Sequence, residues 1–239
     1  MVLKLKVIGV ISGKGGVGKT TVAASIALNL SKKYKVGLLD IDVTAPNVPG
    51  LLGIKEMPKI DKYLHPVNVN ENLKMFSIGL ILPREDHAVV WFGNQKIGAV
   101  EQSVYAVKWG KIDYLVVDTP PGTSDEIITA FEMFPMMHAV IVSTPQYLSL
   151  LDASRAIQMC KSRNIDILGL VENMKGVICP KCGEFIPLGE DRSVETLAER
   201  NGVEYLGGIP LMPKKGVYDI AQYTEEITER ILRRLGVRK

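Results

Sequence analysis

The run Ile11-Ser12-Gly13-Lys14-Gly15-Gly16-Val17-Gly18-Lys19-Thr20-Thr21 decides the fold. It holds the phosphate-loop pattern Gly-x-x-x-x-Gly-Lys-Ser/Thr as Gly13, Gly18, Lys19 and Thr20. The apolar run Val7-Ile8-Gly9-Val10-Ile11 before it suits a buried parallel strand, and Val22, Ala23, Ile26, Ala27 and Leu30 after it recur at helical spacing. The loop therefore opens a helix. Its glycines let backbone N–H groups turn toward an anion, and the helix N-terminus adds about half a positive charge. Gly13, Lys14, Gly15, Gly16, Val17, Gly18, Lys19, Thr20 and Thr21 are expected to bind nucleotide phosphates, with Lys19 at the terminal ones and the Thr20 hydroxyl on Mg²⁺.

Outward from the loop, strand-like and helix-like segments alternate to the end of the chain. That pattern predicts an α/β fold, a mostly parallel sheet with helices on both faces. Strands are expected over 7–11, 36–40, 74–78, 114–118, 139–143, 167–171 and 204–207. No linker divides the 239 residues, which are read as a single domain over 1–239. With 46% hydrophobic and 23% charged residues, the chain has the composition of a soluble globular protein. Its net charge of +3 is slight, no basic stripe interleaves with aromatics, and no nucleic-acid partner is expected. No apolar stretch approaches the length of a bilayer span, and three cysteines fit a reducing compartment, so a cytoplasmic location is expected.

Functional residues should gather at the carboxyl ends of the strands. The second strand delivers Asp40 and Asp42 into a loop stiffened by Pro46 and Pro49, a segment suited to sensing a phosphate near Mg²⁺. The strand Tyr114-Leu115-Val116-Val117-Asp118 ends on an aspartate in the Walker B manner, placing Asp118 on Mg²⁺ together with Thr20. Residues 57–72 lose periodicity and read as loop. The stripe Ile97, Val100, Val104 and Val107 reads as core, as do Trp91 and Phe92. Cys160 shares a helix face with Ala153, Ala156 and Ile157 and reads as a buried small hydrophobe. One last helix is expected over 216–235, with Ile220, Tyr223, Ile227, Ile231 and Leu235 packed on the sheet; its polar face is mixed in sign, which disfavours membrane docking.

A second chemical feature stands at Cys179-Pro180-Lys181-Cys182-Gly183, inside an insertion near 176–189. Two cysteines at this spacing in a Gly/Pro-rich turn can share one metal or cluster. A thioredoxin-like motif would open a helix, which Pro180, Gly183 and Pro187 oppose. One chain supplies two good thiolates, whereas a 4Fe–4S cluster or a structural zinc takes four, so a two-fold dimer would complete the set. Thiolate ligation alone leaves iron–sulfur and zinc both open.

Lys14, one residue after the first glycine of the loop, resembles the signature lysine of the deviant Walker A loop in MinD/ParA-type ATPases. Leu115 to Glu126 is similar to the L-V-x-D-x-P-P-G-T-x-D-E segment of the Mrp/ApbC group, the iron–sulfur cluster carriers of that superfamily. Ser143-Thr144-Pro145-Gln146 and Val171-Glu172-Asn173-Met174 extend the likeness over nearly the whole chain. The resemblance implies a MinD/ParA-type P-loop NTPase fold, slow ATP hydrolysis and a nucleotide-sandwich homodimer in which Lys14 reaches the other subunit's phosphates. It implies that Asp42 orients the attacking water with Asp40 as supporting neighbour, and that the Gly122 N–H is available near the γ-phosphate. Asn173 is expected to contact adenine, with Pro210 adding backbone to the same pocket. A 4Fe–4S cluster bridging two Cys179/Cys182 pairs, passed on to apo iron–sulfur proteins, completes the picture. The alternatives are a MinD/ParA-like spatial regulator and a nucleotide-binding dimer stapled by zinc. Ala45 departs from the glycine usual after the switch aspartates, and the chain is expected to be the bare ATPase core without an N-terminal extension.

Overall fold

The computed structural model describes residues 5–81, 93–122, 125–189, 193–212 and 216–237. Trp91 and Phe92 lie outside these residues, as do Thr123 and Ser124.

Five strands form the parallel centre: β1 (Lys6–Ile11), β2 (Val36–Asp40), β5 (Tyr114–Asp118), β6 (Met137–Ser143) and β7 (Asp166–Ile178). Around them lie β3 (Val67–Asn68), β4 (Leu73–Ser77), β8 (Phe185–Pro187) and β9 (Tyr205–Leu211). The sheet runs β3-β4-β2-β5-β1-β6-β7-β8, with β9 also on β7. Pairings are parallel except β3–β4 and β7–β8. It is a mixed, mostly parallel sheet flanked by helices on both faces, as the α/β expectation has it.

Alternation along each strand divides the core between the two faces. Ile8, Val10, Leu38, Val116 and Val140 pack on one side, beneath α1 (Lys19–Leu30), α7 (Val217–Tyr223) and α8 (Glu225–Arg234). Val7, Ile11, Leu39, Val117 and Ile141 face the other side. There they meet α3 (Gly93–Tyr105), α4 (Asp125–Met133), α5 (Tyr147–Ser162) and α6 (Ser193–Asn201). A further short helix, α2 (Val48–Leu52), follows β2. The helix α1 is buried nearly all round because it lies between the sheet and α7. Cys160 is fully buried on α5, and burial pushes its thiol up to about 12.

Three features differ from the sequence expectation. The tail is two helices, not one: Thr224 breaks the run between α7 and α8, and its hydroxyl accepts a hydrogen bond from Asn29 Nδ2 of α1 at 2.9 Å. Within the stretch read as loop, Val67–Asn68 adds a short antiparallel edge strand to β4. The third is β7, which continues well past residue 171 because β8 folds back on it, Gly176 opposite Pro187 and Ile178 opposite Phe185. The cysteine segment is therefore a hairpin arm grown from a central strand. Among the described residues no helix is long and apolar enough to cross a membrane.

Candidate functional site

The carboxyl ends of β1, β2 and β5 meet at one edge of the sheet. Register fixes this: Val10 of β1 is level with Asp118, and Asp118 is level with Asp40. Gly18 is at φ 80° just before α1, and a Cβ on it would collide with Asn173 Nδ2, so both backbone and space require glycine there. Gly13 is pressed against the backbone carbonyl of Asp152 on α5, where a Cβ has no room either. Ser12 Oγ donates to Lys14 O at 2.9 Å, and the Gly122 N–H donates to Ser12 O at 2.9 Å. The Gly122 N–H, expected to be available for a phosphate, is thus taken by the loop itself in this structure.

Electrostatics centre on a buried ion pair. Lys19 Nζ stands 2.6 Å from Asp118 Oδ1, with the two side chains 6% and 1% exposed. Asp118 Oδ2 is buried and has no hydrogen-bond partner among the described residues. An orphaned carboxylate oxygen beside the phosphate loop fits a cation ligand, because leaving it unpaired in a dry site is costly. Asp40 is fully buried; Oδ1 accepts the Asp42 N–H at 3.1 Å, and Oδ2 accepts Ser77 Oγ at 2.9 Å and the Val48 N–H at 3.3 Å. Burial, and then the neighbouring Asp118 carboxylate, push Asp40 up to about 8. It ties β4 and α2 to the loop that carries Asp42. Asp42 Oδ1 accepts the N–H groups of Ala45 at 3.1 Å and Thr44 at 3.3 Å. Burial raises the Asp42 carboxyl above its ordinary value.

Lys19 and Asp42 line an open cleft of about 380 Å³, large enough for a small ligand, with Asp40 and Asp118 buried behind them. Its floor is the loop from Lys14 to Thr21; its walls include Asp42, Ala45, Asn47, Leu51, Pro121 and Met174. Asn173, expected at a strand end, lies within β7, and its Nδ2 donates to Val17 O at 2.8 Å. Pro210 is half-buried in β9. Neither is among the residues that line the cleft as described. Met174 is, and sequence reasoning passes it over: it takes a left-handed φ of 55°, which nothing about methionine announces. Asn47 and Leu51 escape for a similar reason, since only the short α2 brings them to the loop.

Cys179 and Cys182 sit at the tip of the β7–β8 hairpin, both unbridged, Cys179 partly exposed and Cys182 exposed. The Cys179 N–H donates to Glu184 O at 2.8 Å and the Gly183 N–H to Cys179 O at 2.9 Å, closing a tight turn. The backbone N–H of Cys182, then that of Lys181, then the Cys182 thiol point at the Cys179 sulfur and hold it below the usual thiol range. A lowered thiol favours the thiolate, the form that binds metals. Among the described residues no group of three or more His, Cys, Asp or Glu side chains is arranged to hold a metal ion.

Comparison with known proteins agrees with this geometry. A family profile described as the ParA-type NUBPL iron-transfer P-loop NTPase matches residues 4–230. The chain is 43% identical over 225 residues to the cytosolic Fe-S cluster assembly factor Nubp2 homolog of Aedes aegypti, covering 90% of this chain and 87% of the relative. It is 42% identical to an iron-sulfur cluster carrier protein of Methanocaldococcus jannaschii, covering 87% of this chain and 73% of that one. Among solved structures, a nucleotide-binding protein of Archaeoglobus fulgidus in complex with ADP and with cobalt superposes with a TM-score of 0.76 at 34% identity, covering 93% and 88% of the two chains. The septum site-determining protein MinD of Pyrococcus horikoshii, solved with Mg-ADP, shares the fold with a TM-score of 0.69 at 22% identity over 98% of each chain.

Proposed function

The chain belongs to the iron-transfer P-loop NTPases, and we propose that it is an ATP-hydrolysing homodimer that holds a 4Fe–4S cluster between two Cys179/Cys182 turns and delivers it to apo iron–sulfur proteins. One observation carries the proposal. A turn of two free cysteines, one already acidified by backbone N–H groups, stands on the hairpin of a strand that also braces the phosphate loop. The names of the relatives, a cytosolic assembly factor and a carrier protein, support cluster delivery and a cytoplasmic location.

In this reading ATP lies in the cleft with its phosphates on the loop N–H groups and the N-terminus of α1. Thr20 and Asp118 would hold Mg²⁺, which supplies charge neutralisation at the phosphates. Lys19 exchanges its Asp118 partner for the terminal phosphates, so the buried charges stay paired before and after binding. Asp42 orients the attacking water, and Asp40 fixes the loop from which Asp42 projects. Lys14, on the open side of the loop, reaches the phosphates held by the second protomer. Asn173 lends its amide to the adenine and Pro210 its backbone. Each protomer contributes two thiolates to the shared cluster, which is cargo: bound, then passed to a recipient.

The test is the content of iron, acid-labile sulfide and zinc per dimer after anaerobic reconstitution, for the wild type and for Cys179→Ala/Cys182→Ala. Matched iron and sulfide that disappear in the double variant, followed by transfer to an apoprotein, are the expected result. Tightly held zinc that excludes iron would replace cluster delivery with a structural metal.

A further inference from the structure

The cleft and the cysteine turn are joined by one short run of β7. At its start Asn173, only 7% exposed, donates to Val17 O within the phosphate loop. The preceding residue, Glu172, faces away and accepts the Tyr205 hydroxyl of β9 at 2.6 Å, so the strand is pinned on both sides at this level. The following residue, Met174, lines the cleft in a left-handed conformation that strains the backbone of a non-glycine residue. Pairing with β9 then slips between Asn173 and Val177, so residues 174–176 form a bulge. Bulges of this kind commonly sit beside functional sites and re-aim the chain beyond them. Beyond this bulge the chain enters the hairpin: Gly176 opposite Pro187, the Leu188 N–H on Lys175 O at 3.1 Å, and then Cys179.

We infer that Asn173 and Met174 are positioning residues that couple nucleotide occupancy to the set of the cysteine turn, acting through the bulge at 174–176. A nucleotide seated on the loop presses on the Met174 side chain and draws on the same Asn173 amide that grips Val17. Both contacts act on a segment held off its relaxed backbone, and that segment is the root of the hairpin. The turn after β5 offers a less direct route: its Gly122 N–H reaches the loop at Ser12, on β5's side of the sheet, with β1 and β6 lying between β5 and β7. The inference rests on the nucleotide-and-cluster reading and names how its two sites communicate. Coupling between sites is a free energy, so it is measured as a difference between liganded and free protein.

The experiment is hydrogen–deuterium exchange on the full chain free of iron, sulfide and zinc, with and without Mg-ADP at the concentration that saturates each protein. Light scattering selects conditions in which the free and liganded samples share one oligomeric state. In the wild type, amides over 176–187 are expected to change their exchange rate by about fivefold or more on saturation, the lower end of ordinary site-to-site coupling. In Met174→Gly that change shrinks to less than about twofold, while amides over 13–21 still respond to nucleotide; Asn173→Ala, which also removes the proposed adenine contact, shows the same shrinkage where it still saturates. Met174→Gly accommodates the left-handed backbone and leaves the Asn173–Val17 bond in place, so it decides the matter if Asn173→Ala fails to fold or to bind. A flat hairpin response in the wild type overturns the inference, as does a full response in Met174→Gly. The readout needs no bound iron or zinc. A chain that loads iron and sulfide but shows no hairpin response loses the coupling alone; one that shows the response but holds only zinc loses cluster delivery alone.

Discussion

The phosphate loop and the cysteine turn are opposites in how they are built. The loop is anchored in the sheet by buried groups: Lys19 has Asp118 of β5 and Val17 has Asn173 of β7, while Asp40 nearby has Ser77, the Asp42 N–H and the Val48 N–H. The turn stands on an exposed arm, closed by backbone bonds of its own, and offers two thiols where a tetrahedral or cubane site takes four. A site that must hold charge in a dry place has to be pre-organised, because each unpaired group is expensive there. A site meant to be shared and emptied has to be reachable. The difference assigns the two regions their parts: the loop's residues carry stability as well as chemistry, and the turn's carry chemistry almost alone.

The sharpest way to break that contrast is at the buried pair. Lys19→Ala leaves Asp118 without its cation and is expected to lower unfolding stability by about 3–5 kcal/mol in nucleotide-free protein, the range for halving a buried ion pair. It should also reduce ATP turnover by at least about 100-fold. Chemical denaturation and phosphate release measure the two effects. The double change Lys19→Met/Asp118→Leu should recover most of the stability and none of the turnover; equal losses in the single and double variants would deny that the pair matters to the fold. Gly18→Ala comes next. A side chain at φ 80° against Asn173 should cost about 1–3 kcal/mol and weaken nucleotide binding, read by denaturation and by titration.

A smaller effect belongs to Asp40 and depends on pH. Its folded-state value of about 8 stands above the ordinary 3.8, so folding holds a proton on this group across the interval between them. The stability it contributes is whole below the lower value and is lost as pH rises through the upper one. Asp40→Asn, which stays neutral, should therefore gain on the wild type with rising pH across that interval, by about 1 kcal/mol or more at its top. Thermal midpoints in nucleotide-free, Mg²⁺-free buffer at several pH values test the sign; a gap that narrows as pH rises would reverse it.

The loop was legible in the sequence because its glycines, lysine and threonine are required one by one at fixed spacing, and because Asp118 sits at the end of an apolar run. The central strands were legible for the same kind of reason: buried on both faces, they are continuous apolar runs. What escaped was set by partners distant in sequence. The continuation of β7 depends on β8 folding back, the break at Thr224 on a bond from Asn29, and Met174's place in the cleft on a backbone angle. Asn173 was found as a residue, but not its bond to Val17, whose donor and acceptor lie far apart along the chain. The cysteine turn was legible as chemistry, while its setting on an arm of the sheet was not.

The smallest expected effect on the fold is the one that most sharpens the contrast. Cys179→Ser/Cys182→Ser removes both thiols from an exposed turn whose closing bonds, Cys179 N–H to Glu184 O and Gly183 N–H to Cys179 O, are made by backbone and survive the change. Metal-free stability should therefore shift by less than about 0.5 kcal/mol, the range for surface substitutions away from special features. Metal binding should be lost outright, since serine oxygen is a poor substitute for thiolate with soft metals. In the wild type, the N–H groups aimed at Cys179 make it more thiolate-like than a free cysteine, so iodoacetamide should label it faster than free cysteine near pH 7, an advantage that vanishes once both are fully ionised. Mass spectrometry of labelled peptides and denaturation of the same samples read both quantities together. A large loss of stability in the metal-free double variant would mean that the arm is held by its cysteines, and the division between a load of charge kept inside the sheet and a ligand pair kept outside it would have to be redrawn.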